Sequence, residues 1–350
     1  MMRSLIIVTL VSTVAATAVA QERVVRHRSI IRHVSATERA EQSRQRRTEE
    51  RETQTERITR TVNIGANGEI ELSNISGDIL ITRGGGTTAS IDVVKTAHGA
   101  SADEARAMLP LVQVEITERG TRAEARTRYP DSNEARRNNR RNISVSVSYT
   151  VAAPEGTRII AKSISGDISA RDIRGGLTLE SISGTVRIAN AGRVVNGRSI
   201  SGDIELSDTT IDGALEAGTI SGTVRLRKLT AKSVALNSVS GDVQIEDVSA
   251  ERMDAQAISG NITFAGDLQP NGRYEFTSHS GNIRLAVPAG AGFQVEASSF
   301  SGSINTDIPV TMSGGQSGRR NRALRGTAGS GGGAILELTT FSGTILITKR

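Results

Sequence analysis

The chain has 350 residues, a net charge of +6 and 36 glycines, but no cysteine and no tryptophan, and aromatic residues make up only 2%. The absence of cysteine excludes disulfides, thiolate metal sites and cysteine nucleophiles. So few large side chains argue against one compact globule of this length and favour thin layers packed with Val, Ile, Leu and Ala.

The first twenty residues have the pattern of a secretory signal peptide. Arg3 precedes an apolar run over residues 5–14, and Ala18-Val19-Ala20 forms a small-residue cleavage site. The run is shorter than the roughly 20 residues of a membrane-spanning helix. We therefore expect cleavage after residue 20 rather than an uncleaved anchor, no later membrane span, and export to the periplasm or the outer surface of a bacterium.

Residues 21–60 are rich in Arg, Glu, Gln and Thr, and almost no apolar residue occurs between Val34 and Ile58. This composition is typical of a solvated helix or of a disordered segment, which is what we expect here. A short apolar stripe ahead of Val34 leaves a partner-binding helix as the alternative.

Alternation of apolar and polar residues begins at residue 61 and predicts strands on both sides of Gly77. The next similar glycine is Gly166, and residues 83–160 between them predict a strand–helix–strand insertion near the N-terminal end. Ser101 as N-cap, with Glu104 three residues later, begins the helix, and Pro110 ends it. Residues 119–142 are expected to form a loop rich in Arg and Asn.

A short phrase, Ser-Gly followed by a polar residue and Ile or Val, then recurs through the chain. Its glycines, called corner glycines below, are Gly77, Gly166, Gly184, Gly202, Gly222, Gly241, Gly260, Gly281, Gly302 and Gly343. From Gly166 to Gly302 the steps are 18 to 21 residues, a period typical of solenoids. We therefore predict an all-β fold, a parallel β-solenoid over residues 61–350 with rungs of about 18–21 residues. A right-handed coil is expected for parallel crossovers.

Positions are counted from each corner glycine. Positions −7, −5, −3, +2 and +4 are apolar or small in repeat after repeat, for example Leu236 at −5 and Val243 at +2 of Gly241. Because side chains alternate along a strand, these positions should share one inward face. The glycine itself should have a positive φ, or lie where neighbouring repeats approach closely.

Position −2 does not fit this alternation. It is Ile or Val in six successive repeats and then His279, Phe300 and Phe341. Strict alternation would place this column outside as an apolar ridge, which is typical of an interaction surface, whereas a bent corner would bury it. We expect the buried corner, with His279 as a substitution at the end of the core.

Position +1 is Asp, Thr, Asn or Ser, and from Gly166 onward no two Asp occupy successive repeats. This spacing avoids stacked carboxylates and favours turn residues. A calcium-binding repeat is the alternative, but its Gly-Gly-x-Gly-x-Asp pattern is absent. We therefore predict a turn function, with no metal and no other cofactor.

The positive charge lies outside the repeats. Residues 21–60, 118–142 and 308–333 each carry about +4, so the rest of the chain is about −6. Residues 308–333 should form a loop rich in Gly and Arg. Clustered arginines favour phosphate or carboxylate recognition, and solubility alone is the simpler interpretation. The candidate binding residues are Arg136, Arg137, Arg140, Arg141, Arg319, Arg320, Arg322 and Arg325.

The stretch Tyr149-Thr-Val-Ala-Ala-Pro-Glu-Gly, followed by Ile159, Ser163 and the Ser-Gly-Asp-Ile repeats, resembles a bacterial family of exported β-strand-repeat proteins called putative adhesins, a domain of unknown function. Gly99-Ala100-Ser101 before the helix also resembles that family, and the likeness covers about residues 61–350. It implies a β-solenoid at the cell envelope, in some relatives linked to envelope stress, and it supplies no catalytic residues.

We therefore predict a non-enzymatic envelope or surface interaction protein whose basic segments contact an anionic envelope polymer or a protein partner. The alternative is a self-assembling scaffold that polymerises through open strand edges. A polysaccharide-active enzyme is disfavoured because no carboxylate cluster with a basic partner is found outside the repeats, and because tryptophan is absent. Nucleic acid is disfavoured by the export signal and by the lack of basic and aromatic interleaving.

Overall fold

A computed structural model describes residues 52–130, 143–312, 322–329 and 333–350, and these residues form an all-β fold, as predicted. They belong to two units. The smaller contains residues 52–53 and 98–105 of the described chain, and the larger contains residues 54–97 and the described residues from 106 onward. The signal peptide and residues 21–51 lie outside the described residues.

Before the regular repeats, the strands are β1 (Glu52–Asn63), β2 (Glu69–Ser76), β3 (Ile79–Arg83), β4 (Thr88–Gly99), β5 (Gln113–Arg119), β6 (Arg122–Arg128) and β7 (Val145–Ala153). The helix α1 (Ala102–Met108) and a 3-10 turn (Leu109–Leu111) follow β4. The regular repeats contain β8 (Arg158–Ser165), β9 (Ile168–Arg171), β10 (Gly176–Ser183), β11 (Val186–Ala189), β12 (Arg193–Ser201), β13 (Ile204–Thr210), β14 (Ala214–Ser221), β15 (Val224–Ser240), β16 (Val243–Ser259), β17 (Ile262–Ala265), β18 (Arg273–Ser280) and β19 (Ile283–Val287). The C-terminal strands are β20 (Phe293–Ser301), β21 (Ile304–Thr306), β22 (Val310–Met312), β23 (Ala323–Ala328), β24 (Ala334–Ser342) and β25 (Ile345–Lys349).

The helix begins as the sequence predicts. The backbone N–H of Glu104 donates to the Ser101 hydroxyl at 3.2 Å, and the Glu104 carboxylate accepts from the backbone N–H of Ala100 at 2.8 Å. These two bonds satisfy N–H groups that have no partner within the helix. Regular α-helix ends at Met108, just before the Leu109-Pro110 pair, as the restriction on the residue before proline requires.

Within the larger unit, successive repeats pair in parallel and in register. In the pairing of β14 with β15, Leu215 aligns with Val234 and Ala217 aligns with Leu236, so equivalent positions lie side by side. The predicted inward face is confirmed, since Leu236 is 1% exposed while its neighbour Asn237 is exposed. The handedness of the coil stays a prediction.

Both of the expected reasons for glycine at the corners are observed, a positive φ and a close approach of neighbouring repeats. Gly77 and Gly166 have φ of 109° and 132°, a region that residues with a Cβ rarely adopt. At Gly222 a Cβ would overlap the carbonyl oxygen of Gly202 in the neighbouring repeat. The backbones of adjacent repeats therefore approach too closely for any side chain at this column.

The order of the last repeats differs from the order in the chain. Strand β24 pairs in parallel with both β18 and β20, and β25 pairs with β19 and β21. The repeat of Gly343 therefore lies between those of Gly281 and Gly302. On its other side β20 pairs antiparallel with β23, in the segment that was expected to be only a loop.

Two N-terminal predictions are also corrected. Residues 52–60 were expected to be helical or disordered, but they belong to β1, which pairs with β4, and Glu56 lies 2.7 Å from the ammonium of Lys95. Residues 122–128, expected to be loop, form β6, which pairs with β2. Both strands are rich in polar residues, so the alternation of apolar side chains that reveals the other strands is weak or absent.

Candidate binding surface

The side chains at position −2 point outward, so the prediction of a buried corner is wrong. Ile182 is 45% exposed, Ile258 is 53% exposed and Phe300 is 68% exposed. In spatial order the column is Ile75, Ile164, Ile182, Ile200, Ile220, Val239, Ile258, His279, Phe341 and Phe300. We call this column the ridge. It carries an apolar or aromatic side chain in every repeat.

The residues at position −3 are buried in every repeat, and most of them carry a hydroxyl group. The hydroxyl of Ser199 donates to the carbonyl oxygen of Gly184 at 3.1 Å, and that of Thr219 donates to Gly202 at 3.0 Å. Both side chains are 4% exposed. Because position −3 is buried even at Ala257, which has no hydroxyl, strand alternation continues up to the corner and places the next residue outside.

A groove of about 800 Å³ runs along the ridge over six repeats, from the repeat of Gly77 to that of Gly241. One side of it is the ridge, and the other is the column at position −4, which we call the polar wall. The polar wall contains, in order, Ser73, Lys162, Glu180, Arg198, Gly218 and Asn237. The ammonium of Lys162 lies 3.3 Å from the carboxylate of Glu180, and Arg198 forms an ion pair with Glu216. The groove therefore has one apolar side and one charged side.

The ridge ends in a stack of three aromatic rings. The ring of His279 lies 4.8 Å from that of Phe341 at an interplanar angle of 6°, and Phe300 lies 4.7 Å from Phe341 at 7°. His279 is exposed, so its interpretation as a core substitution is wrong. Its ring continues the ridge, because the spacing of the stack equals the separation of hydrogen-bonded strands.

The polar residues at position +1 serve the corners. The Asp167 carboxylate accepts from the backbone N–H of Thr185 at 2.9 Å, and Asp203 accepts from Thr223 at 2.8 Å. Partial burial raises the pKa of Asp203, but the hydrogen bonds from Thr223 and Arg225 outweigh it and leave the pKa below its usual value. The turn interpretation is therefore confirmed for these carboxylates.

In the first pair of repeats, two Asp residues at position +1 are neighbours, unlike in the later repeats. Asp78 and Asp167 lie in neighbouring repeats, and the Asp78 carboxylate accepts from the backbone N–H of Asp167 at 2.9 Å. In the part of the chain that the structure describes, no group of three His, Asp or Glu side chains is arranged to hold a metal ion.

Six of the eight arginines proposed from the sequence lie outside the described residues: Arg136, Arg137, Arg140, Arg141, Arg319 and Arg320. The other two, Arg322 and Arg325, are exposed at and beside β23, and the guanidinium of Arg325 lies 3.6 Å from the Glu296 carboxylate. The polar wall was not predicted from the sequence. Its signal was the succession of Lys162, Glu180 and Arg198 at one position of three successive repeats.

Several solved structures are similar to this chain at low sequence identity. Among solved structures, a putative adhesin from Bacteroides fragilis is 14% identical, with 84% of this chain and 97% of that chain covered and a TM-score of 0.41. A putative adhesin from Parabacteroides distasonis is 11% identical, with 83% and 97% covered and a TM-score of 0.49. A putative lipid binding protein from the same organism is 13% identical, with 84% and 96% covered and a TM-score of 0.45.

The comparison with curated proteins found no match. In the ranges that the structure describes, no helix has both the length and the apolar character of a membrane span. The family match covers residues 68–348, which is most of the chain and includes every corner glycine. The chain therefore belongs to the Toastrack DUF4097 family.

Proposed function

We propose that the protein is a non-enzymatic interaction protein of the bacterial cell envelope, exported to the periplasm or the outer surface, and that it binds protein partners through the ridge. The observation that carries this proposal is the exposure of an apolar or aromatic side chain at position −2 in nine of the ten repeats, all except that of Ile75, which is half-buried. Soluble proteins rarely expose a continuous apolar strip, and such strips are typical of interaction sites.

The dimensions of the ridge favour an extended partner surface over a small ligand. Ten positions at the strand spacing of about 4.8 Å extend over about 43 Å. Burying the exposed half of one Ile side chain contributes about 1 kcal/mol. Several such side chains in one line can offset the entropy lost when two proteins associate.

The basic segments supply a second contact in this proposal. Arg322 and Arg325 are exposed, and together with the six arginines outside the described residues they would contact anionic envelope polymers through charge-assisted hydrogen bonds. We further infer that the stacked repeats form a right-handed parallel β-solenoid with rungs of about 18–21 residues, because parallel crossovers have that hand in nearly all cases.

Co-sedimentation of the purified protein with isolated envelopes tests the role of the ridge. Ile182→Asp combined with Ile220→Asp should abolish the part of the co-sedimentation that depends on the ridge. Because both side chains are about half exposed, the protein should tolerate the two changes without unfolding. Glu246→Arg, which breaks the surface ion pair with Arg227, is the matched control. Equal co-sedimentation of parent and ridge variant would refute the proposal.

Two further variants test the basic segments. Replacing the four arginines of residues 136–141 by Gln, and separately the four of residues 319–325, should reduce binding to anionic envelope polymers without changing the melting temperature, since exposed charges contribute little to stability. Binding should also weaken with salt. If the variants bind these polymers as the parent does, the arginines only provide solubility.

A further inference from the structure

The charges of the polar wall have an order that allows two copies of the wall to pair about a two-fold axis. Along the groove the wall presents a cation at Lys162, an anion at Glu180, a cation at Arg198 and no side chain at Gly218, and Glu216 lies two residues before that glycine. Opposite charges lie on the two sides of the midpoint between Glu180 and Arg198, and Lys162 is mirrored by Gly218, which carries no charge. Reversing the order of the repeats about this midpoint places Glu180 against Arg198, and Lys162 against Gly218 and its neighbour Glu216.

The same midpoint is the centre of the groove. The groove extends over six repeats, with ridge side chains from Ile75 to Val239. Its centre lies between Ile182 and Ile200, in the same two repeats as Glu180 and Arg198. Arg126 and Thr127 also line the end of the groove beside Ile75, so the opposite charges of Glu180 and Arg198, and not the outline of the groove, define the two-fold centre.

We propose that the occupant of the groove is a second copy of this chain, bound face to face with its repeats in the opposite direction. The two-fold axis crosses the ridge between Ile182 and Ile200, so Ile182 of each copy packs on Ile200 of the other. Glu180 and Arg198 then form ion pairs across the interface beside this apolar contact. The inference rests on the proposed function, because it names the partner of the ridge.

The charges select this arrangement over the other face-to-face pairing. If the repeats ran in the same direction with the two polar walls in contact, Lys162, Glu180 and Arg198 would each face their own copies, and like charges in contact cost affinity. In the opposed arrangement, Lys162 of the partner faces Gly218, which has no side chain, and lies close to Glu216 two residues earlier. Closed two-fold pairs of this kind are the commonest assemblies of soluble proteins.

The size of the contact is adequate for a dimer. Positions −4, −2 and −1 over six repeats give eighteen residues in each copy, close to the 20–30 residues that a standard interface contributes from each side. The centre is apolar and the margins are polar, which is the usual distribution in interfaces. The margin at position −1 is Ser in every repeat.

A charge reversal tests the interface in the chain from Gln21 to Arg350. By sedimentation equilibrium, Glu180→Arg and Arg198→Glu should each raise the dimer Kd at least tenfold, because each variant places like charges against each other twice. The two changes together should restore the Kd to within about threefold of the parent. Glu246→Arg is the matched control, since it also reverses a charge within a surface ion pair, and circular dichroism verifies folding.

Paired cysteines test the register independently, because the parent contains no cysteine. Ile164 and Ile220 lie three repeats apart, about 14 Å within one chain, too far for an internal disulfide. In the proposed dimer they face each other across the axis. Ile164→Cys combined with Ile220→Cys should therefore oxidise to a covalent dimer, whereas Ile164→Cys combined with Ile258→Cys should not.

The proposal is overturned if the protein remains monomeric at a concentration of 100 µM, about the weakest dimer Kd that would be useful. It is also overturned if the variant with both charge reversals dimerises no more tightly than the variants with one. A dimer Kd that is unchanged by Glu180→Arg and by Arg198→Glu also overturns the proposal. If the protein is monomeric but the ridge variants still lose envelope binding, the partner is a different molecule and the proposed function stands. If the dimer forms as described but envelope binding does not depend on the ridge, the proposed function fails alone.

Discussion

Leu179 and Ile182 belong to the same strand, β10, and should respond very differently to truncation. Leu179 is 0% exposed and packs between the neighbouring repeats, whereas Ile182 is 45% exposed on the ridge. The matched pair Leu179→Ala and Ile182→Ala therefore tests whether the ridge faces solvent in the monomer.

The expected magnitudes follow from burial. Leu179→Ala should lower the free energy of unfolding by about 2–5 kcal/mol, because it removes buried apolar surface and leaves a cavity. Full burial of an Ile side chain is worth about 1.5–3 kcal/mol, and roughly half of Ile182 is already exposed. Ile182→Ala should therefore cost about 1 kcal/mol.

Urea denaturation provides the measurement, with unchanged m-values as the sign that compactness is unaffected. The experiment needs low protein concentration, because a bound second copy would stabilise the folded state by mass action. Equal losses for the two variants at low concentration would refute the outward direction of the ridge. A loss for Ile182→Ala that grows with protein concentration would instead indicate burial in the dimer.

Three further predictions concern the corners. Gly222→Val should destabilise the protein by about 1–3 kcal/mol, measured by thermal melting, because the new Cβ would overlap the backbone of Gly202. Thr219→Val should cost about 1–3 kcal/mol in the same assay, because it removes the hydroxyl that donates to the partly buried carbonyl oxygen of Gly202. The pKa of Asp203 is lowered in the folded state, so its contribution is present above the unfolded pKa and lost as pH falls through the folded pKa. Asp203→Asn should therefore reduce the acid sensitivity of stability, seen in melts between pH 6 and about 3.

Local patterns were sufficient to predict the repeat and its inward face. Leu236 and Asn237 have the directions that strand alternation requires, and Ser101 caps the helix as the capping-box pattern predicts. These features depend on contacts within a few residues or on the repeat period itself. A single sequence therefore contains the information that fixes them.

The order of the repeats depends on information that the pattern does not contain. The repeats of Gly281, Gly302 and Gly343 all offer the same inward positions, so each could pair with any other. The structure inserts the third between the first two. Strand β23 then pairs antiparallel with β20 at the edge where a parallel neighbour would otherwise lie. Sequence order alone could not predict that exchange.

The ridge was misread because the corner was treated as a bend. The residues one position earlier are buried in every repeat, and hydroxyls there, such as those of Ser199 and Thr219, bond to the carbonyl oxygen of the preceding corner glycine. A small hydroxyl at −3 in most repeats was visible in the sequence. The sequence does not show that the carbonyl oxygen of the preceding corner glycine lies within reach of this hydroxyl.

The physics of the fold does not require an apolar ridge. Parallel stacking needs apolar side chains at the inward positions and a glycine at the corner, while an outward position needs only to be compatible with a strand and with water. The outward position −4, for example, is occupied by the charged side chains of Lys162, Glu180 and Arg198 in three of the repeats. Position −2 instead keeps an apolar or aromatic side chain in all ten repeats, including the one that inserts out of order, and an exposed apolar column adds a risk of aggregation. A feature that the fold does not need, and that solubility disfavours, is best explained by a partner that covers it.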